Sequence, residues 1–211
     1  SIVLYRLALP EKASPLIAGD ALSDVQLYEK AIEKYLMVAD SYSQLPLSEM
    51  ALTKAYMTAA SKLPDSPLRT ELIVDIKRRI AAKPAFKYQE QIMEIDALTL
   101  WREQRFHEAL AYVSDLLSRN PDTGIVAKLL QLPHQKLPED VVRELLRCIS
   151  RTRNLKRLDL SNYGIRSLSQ LQGLPLTHLD CSGNELASLD GISSMPLETL
   201  DCKNNLLRDL K

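Results

Sequence analysis

Three aspartates, Asp159, Asp180 and Asp201, recur at intervals of 21 residues. A column of carboxylates offers two chemistries: docking of a basic partner, or weak binding of a divalent cation. Like charges side by side in a sheet also repel mildly. A column copied along with its repeat and left in solvent is therefore the plainer reading. A dedicated calcium site is disfavoured, because the ion takes about six or more oxygens and no carbonyl-rich loop is evident. No metal is assigned.

The other reactive residues form no catalytic constellation. Asp122-Thr123-Gly124 spells the aspartic-protease triplet, but no second copy exists. It follows Asn120-Pro121 at the expected end of a helix, where an aspartate suits the N-cap of the next one. His107, His134 and His178 are far apart and lack zinc or triad spacing. Six glycines include no phosphate-binding loop. Cys148, Cys181 and Cys202 form neither a disulfide framework nor a Cys-x-x-Cys pair, which favours a reducing, cytoplasmic setting. Cys181 and Cys202 share one repeat position, either as a redox pair or as small packed hydrophobes; packing is the preferred reading. The chain is accordingly read as non-enzymatic, with no cofactor.

The elements that would position the aspartates come from a repeat. Leu155, Leu158, Leu160, Ile165 and Leu168 are matched by Leu176, Leu179, Cys181, Leu186 and Leu189, and again by Leu197, Leu200, Cys202, Leu207 and Leu210. Alternating apolar positions such as Leu158 and Leu160 describe a short strand with one buried face. Each unit is too small to bury that face alone, so stacking must do it. Over residues 155–211 this pattern resembles the leucine-rich repeat family, in a bacterial style of repeat. The resemblance implies parallel strands and a concave ligand surface. It also implies that Asn184 and Asn205 bond the backbone of neighbouring turns; Tyr163 replaces that asparagine in the first repeat, which is expected to be less regular. The outward residues, and hence the candidate binding surface, are Arg157, Asp159, Ser161, His178, Asp180, Ser182, Thr199, Asp201 and Lys203.

Before the repeats, helical periodicity predicts helices over 21–43, 47–63, 67–82, 88–103, 106–119, 123–131 and 138–151, broken at Pro46, Pro64, Pro67, Pro84, Pro121 and Pro133. Ala97, Leu100, Phe106, Ala109 and Pro121, with a fainter echo in Tyr28, Ala31 and Tyr35, resemble the tetratricopeptide repeat. The helix from Pro138 to Ser150 carries an apolar stripe, Val141, Leu145, Leu146, Cys148 and Ile149, expected to cap the first repeat. Arg143, Arg147, Arg151, Arg153, Lys156 and Arg157 cluster around this junction. They could meet phosphates or an acidic partner; without interleaved aromatic residues, a solvated face is preferred.

The expected architecture is mostly α with a C-terminal α/β-type solenoid: an N-terminal extension over 1–20, a tetratricopeptide-like helical domain over 21–137, and a capping helix with leucine-rich repeats over 138–211. Its 211 residues carry 27 basic and 27 acidic side chains, so no net field attracts nucleic acid or an anionic membrane. No stretch reaches the roughly 18 apolar residues of a membrane span, and the segment from Ile2 to Leu9 is interrupted by Arg6 and lacks the flanks of a signal peptide. The expected role is recognition of another protein. The alternatives are a regulatory or sensory tail of a larger, kinase-like signalling protein, and a nucleic-acid or cation-binding module. Starting at Ser1 and ending within the third repeat, the chain is expected either to belong to something longer or to use that uncapped end against a partner or a second copy.

Overall fold

Left-handed turns and prolines decide where the helices stop. The computed structural model describes residues 14–132 and 137–208. Residues 1–13 of the extension, the break at Pro133, His134, and Leu210 and Lys211 at the end of the third repeat lie outside the described residues. The chain is mostly helical, with a small parallel sheet. Two compact units divide between Asp96 and Ala97, whereas the sequence reading places its boundary after residue 137.

The first unit contains α1 (Ser14–Asp24), α2 (Tyr28–Ser41), α3 (Pro46–Lys62), α4 (Pro67–Ala81) and the start of α5 (Gln89–Arg102). The single helix expected over 21–43 is two helices. Gln26 takes a left-handed φ of 63°. The Gln26 and Leu27 N–H groups then donate back to the Ser23 and Leu22 carbonyls, at 3.0 and 2.9 Å, which is a Schellman end. The apolar Val25 and Leu27 make the periodicity look continuous, yet both are exposed. The first of the two helices begins inside the segment expected to be an extension, where Leu16 is buried. Pro46 and Pro67 stand in the first turns of α3 and α4, where a missing N–H costs nothing.

Small residues let these helices approach closely. Ala31, Ala51, Ala55 and Ala59 are fully buried, and a Cβ on Gly19 would lie 2.5 Å from the Tyr35 ring. Two similar polar locks join neighbouring helices. Tyr35 Oη and Lys54 Nζ both donate to Asp20 Oδ1, each at 2.7 Å. Tyr56 Oη donates to the buried Asp96, which also meets Lys77 Nζ at 3.1 Å. In both cases the lysine also stands over the tyrosine ring. Burial, then the Asp20 hydrogen bond, pushes the Tyr35 hydroxyl well above its ordinary value.

The second unit opens with the end of α5. Its Trp101 is buried and meets Phe106 edge to face, with ring centroids 4.9 Å apart. Then follow α6 (Phe106–Arg119), α7 (Ile125–Leu130) and α8 (Glu139–Ser150). The α5–α6 turn repeats the α1–α2 device: Gln104 has φ 61°, and Arg105 N–H donates to Leu100 O at 2.9 Å. The expectation that Asp122 caps α7 fails. The N-cap is Gly124, while the Asp122 N–H donates to Asn120 Oδ1 at 3.0 Å and rounds the turn. In α8, Val141, Val142, Leu145, Leu146, Cys148 and Ile149 are buried, and the helix packs against α6 and the 3₁₀ turn Ser169–Leu171.

Strands β1 (Arg157–Asp159), β2 (His178–Asp180) and β3 (Thr199–Asp201) pair in parallel in the order β1-β2-β3. Asp159 is opposite Asp180, and Asp180 opposite Asp201. Beyond the strands the same offset continues: Leu160 N–H donates to Asp180 O and Cys181 N–H to Asp201 O, both at 2.8 Å. Leu158, Leu160, Leu168, Leu176, Leu179, Cys181 and Leu186 point inward and are buried. Each 21-residue repeat thus forms one coil; in the third, Leu200 is 37% exposed and Leu197, Cys202 and Leu207 are half-buried, so its apolar positions are less covered than those of the first two.

Asp96 is the better protected of the two lock carboxylates, so Asp96→Ala should lower stability by about 1–3 kcal/mol. The exposed Lys77 should contribute less than about 1 kcal/mol when changed to Ala. Urea unfolding followed by circular dichroism checks both values.

Candidate functional site

The strand register builds an open groove of about 620 Å³. Its floor carries Arg157, His178 and Thr199 in one column and Asp159, Asp180 and Asp201 in the next. Ala127, Leu130 and Gln131, at the end of α7, form its wall. The sequence reading places a helix there and does not connect it with the strands. Only the chain path brings the two together, and no local motif announces it.

Ser161, Ser182 and Lys203 do not line the groove. Each strand is only three residues long, so the next inward residue begins a turn. At that turn each aspartate accepts the N–H two residues on: Asp159 from Ser161 at 2.9 Å, Asp180 from Ser182 at 2.9 Å, Asp201 from Lys203 at 3.0 Å. Ser182 Oγ also donates to Asp180, and Lys203 Nζ to Asp201. The Lys203 backbone bond, followed by its side-chain bond, holds the Asp201 carboxyl below its ordinary range. The aspartate column thus has a structural cause: each carboxylate closes its own turn. Among the described residues no three histidine, cysteine or carboxylate side chains are placed to hold a metal ion.

The other floor column is less committed to the fold. Arg157 and Thr199 are exposed. His178 Nδ1 lies 2.9 Å from Thr177 Oγ1, which donates to Lys156 O at 3.1 Å. With the hydroxyl proton so placed, the hydroxyl oxygen accepts from the Nδ1–H of the ring.

Asparagines hold the coils behind this floor. Asn184 Oδ1 accepts from Ile165 N–H at 3.0 Å, while its Nδ2 donates to Leu160 O at 2.8 Å and Cys181 O at 2.9 Å. Asn205 repeats the pattern, from Leu186 N–H at 3.0 Å and to Cys181 O and Cys202 O at 2.9 Å each. Each asparagine reaches back to the preceding coil. Tyr163 has no amide to donate to its own turn as Asn184 and Asn205 do, yet β1 keeps its register with β2 where the first repeat was expected to be less regular. The left-handed positions Asn162, Gly183 and Asn204 also stack. A Cβ on Gly183 would collide with Asn162 Oδ1.

The three cysteines are free. Burial, then Cys202 nearby, pushes the Cys181 thiol up to about 12; burial likewise pushes Cys148 up to about 11. A second cavity, of about 540 Å³, lies in the first unit among α2, α3 and α4. Its charged groups are already engaged: Arg79 pairs with Asp40, and Lys83 Nζ donates to Ser43 O. No family model, curated protein or solved structure matches the chain.

Asn184→Ala should cost about 2–4 kcal/mol, because it leaves the buried Ile165 N–H and Leu160 carbonyl without that partner; thermal melts of the two proteins measure the loss. Native iodoacetamide labelling followed by mass spectrometry should modify the partly exposed Cys202 well before Cys181 or Cys148, since the thiolate is the nucleophile.

Proposed function

We propose that this chain is a non-enzymatic protein-recognition module, in which a tetratricopeptide-like helical region precedes leucine-rich repeats, and that a partner protein seats in the groove over β1–β3. The observation that carries this reading is the division of labour on the groove floor. The aspartates close turns, whereas Arg157 and Thr199 are exposed side chains facing an open concavity with a partly apolar wall. Such a surface offers hydrogen bonds, charge of both signs and apolar contact to one ligand.

The test separates charge from shape. The triple variant Asp159→Asn, Asp180→Asn and Asp201→Asn retains the turn-closing oxygen and removes the charge. Thr199→Trp fills the floor at an exposed strand position that tolerates an aromatic. A partner captured from native lysate by the parent should bind Thr199→Trp at least about tenfold more weakly, with melting temperature unchanged. A further loss in the triple variant identifies a basic partner. Equal binding by all three proteins overturns the groove as the recognition surface.

A further inference from the structure

His107, in the first turn of α6, stands between two carboxylates of α8. Its Nδ1 lies 2.9 Å from Glu144 Oε2 and its Nε2 lies 3.0 Å from Asp140 Oδ2. Asp140 and Glu144 are four residues apart, so they occupy one helical face. An ionised carboxylate only accepts, and a neutral imidazole has a single N–H to give. Both bonds can exist together only when both ring nitrogens carry protons. We propose that His107 is a protonation-operated clamp between α6 and α8: the imidazolium holds both carboxylates, and the neutral ring surrenders one of them.

The surrounding charges leave the ring to this pair. On its own side, Arg105 is held by Glu108 and Glu103. On α8, Glu139 meets Arg143 and also Arg166 from the first coil. Arg151, just past the end of α8, donates to the uncharged Ser114 Oγ on α6 at 2.7 Å. Arg147 is a further exposed cation on α8. The Glu144 hydrogen bond raises the His107 value above its ordinary level; desolvation opposes it, and the charge and hydrogen bond of Asp140 add to the rise. Desolvation is the largest single influence on Asp140 and opposes its ionisation, but the backbone N–H groups of Asp140 and Val141, and then His107, together lower its value. It therefore stays ionised while the histidine is charged.

The direction of the effect follows. A histidine whose value is higher in the folded state contributes its stability fully below the unfolded value, and that contribution is lost as pH rises through the folded value. The clamp is closed below the ordinary histidine value and loosens as pH rises through the raised one. Since α8 also packs on the 3₁₀ turn of the first coil, the proton governs how firmly this helix is held on its α6 side.

Proton NMR of the full chain tests the clamp, with the His107 signal assigned from its loss in His107→Gln. The ring should titrate above the ordinary histidine value. Asp140→Asn and Glu144→Gln should each lower that midpoint, and the pair together should restore the ordinary value. A second readout is amide exchange in residues 139–144, corrected for intrinsic rates. Protection should rise about two- to fivefold from pH 8.5 to pH 5.5 in the parent and stay flat in His107→Gln. A ring that titrates at or below the ordinary value, or protection that rises equally in His107→Gln, overturns the proposal.

Discussion

A strand of three residues cannot satisfy the backbone of a 21-residue coil, and the second half of this chain is organised by that shortage. Ladder bonds serve the strand and a residue or two beyond it. The rest of the coil is irregular, and a buried amide without a partner costs about 1–3 kcal/mol. Asn184 and Asn205 resolve this with one side chain each, accepting from the coil before and donating to carbonyls on both sides. That requirement fixes the spacing of the coils, and the fixed spacing in turn puts the leucines into one buried ladder and the aspartates into one column.

The first unit meets a different constraint by a different route. Its helices satisfy their own backbones, so the difficulty is to make them stop and pack. Left-handed Gln26 stops α1, and prolines start α3 and α4. Fully buried alanines and Gly19 then bring the axes together, which leaves buried tyrosine hydroxyls in need of acceptors. Asp20 and Asp96 supply them, and Lys54 and Lys77 balance the carboxylates. A close apolar contact and a polar lock therefore occur as a pair, because one creates the need for the other.

What could be read from the sequence follows from this contrast. A repeat of fixed length is visible in the order of residues, so the three strands and the inward leucines of the first two repeats were legible, and the family resemblance pointed to the asparagines. Proline positions made most helix boundaries legible too. The break between α1 and α2 was not, because glutamine carries no signal for a left-handed turn and the flanking Val25 and Leu27 preserve an apolar rhythm while lying in solvent. The end of the strands was not legible either. Alternation places Ser161, Ser182 and Lys203 on the concave face with the rest, but the chain turns after the third strand residue, so they leave the groove and their N–H groups donate to the aspartates. The α7 wall of the groove was invisible because nothing in a short apolar helix states which surface it will face.

The aspartate column shows why regular spacing is weak support for a ligand. Like charges in register repel, so their persistence through three coils invites a search for an external cation or basic partner. The hydrogen bonds remove the need for one. Each carboxylate takes the N–H of the residue two positions on, at 2.9–3.0 Å, and an N–H dipole aimed at a carboxylate offsets the repulsion locally. The neighbouring column is different in kind. Arg157, His178 and Thr199 differ in every coil, close no turn, and stand in the same register. Where a repeat preserves a residue the fold is using it; where a repeat varies a residue on an open surface, the side chain is free to serve a partner. On this argument the proposed recognition depends first on the varied column and the α7 wall, and the aspartates supply the rigid frame and a background of negative charge.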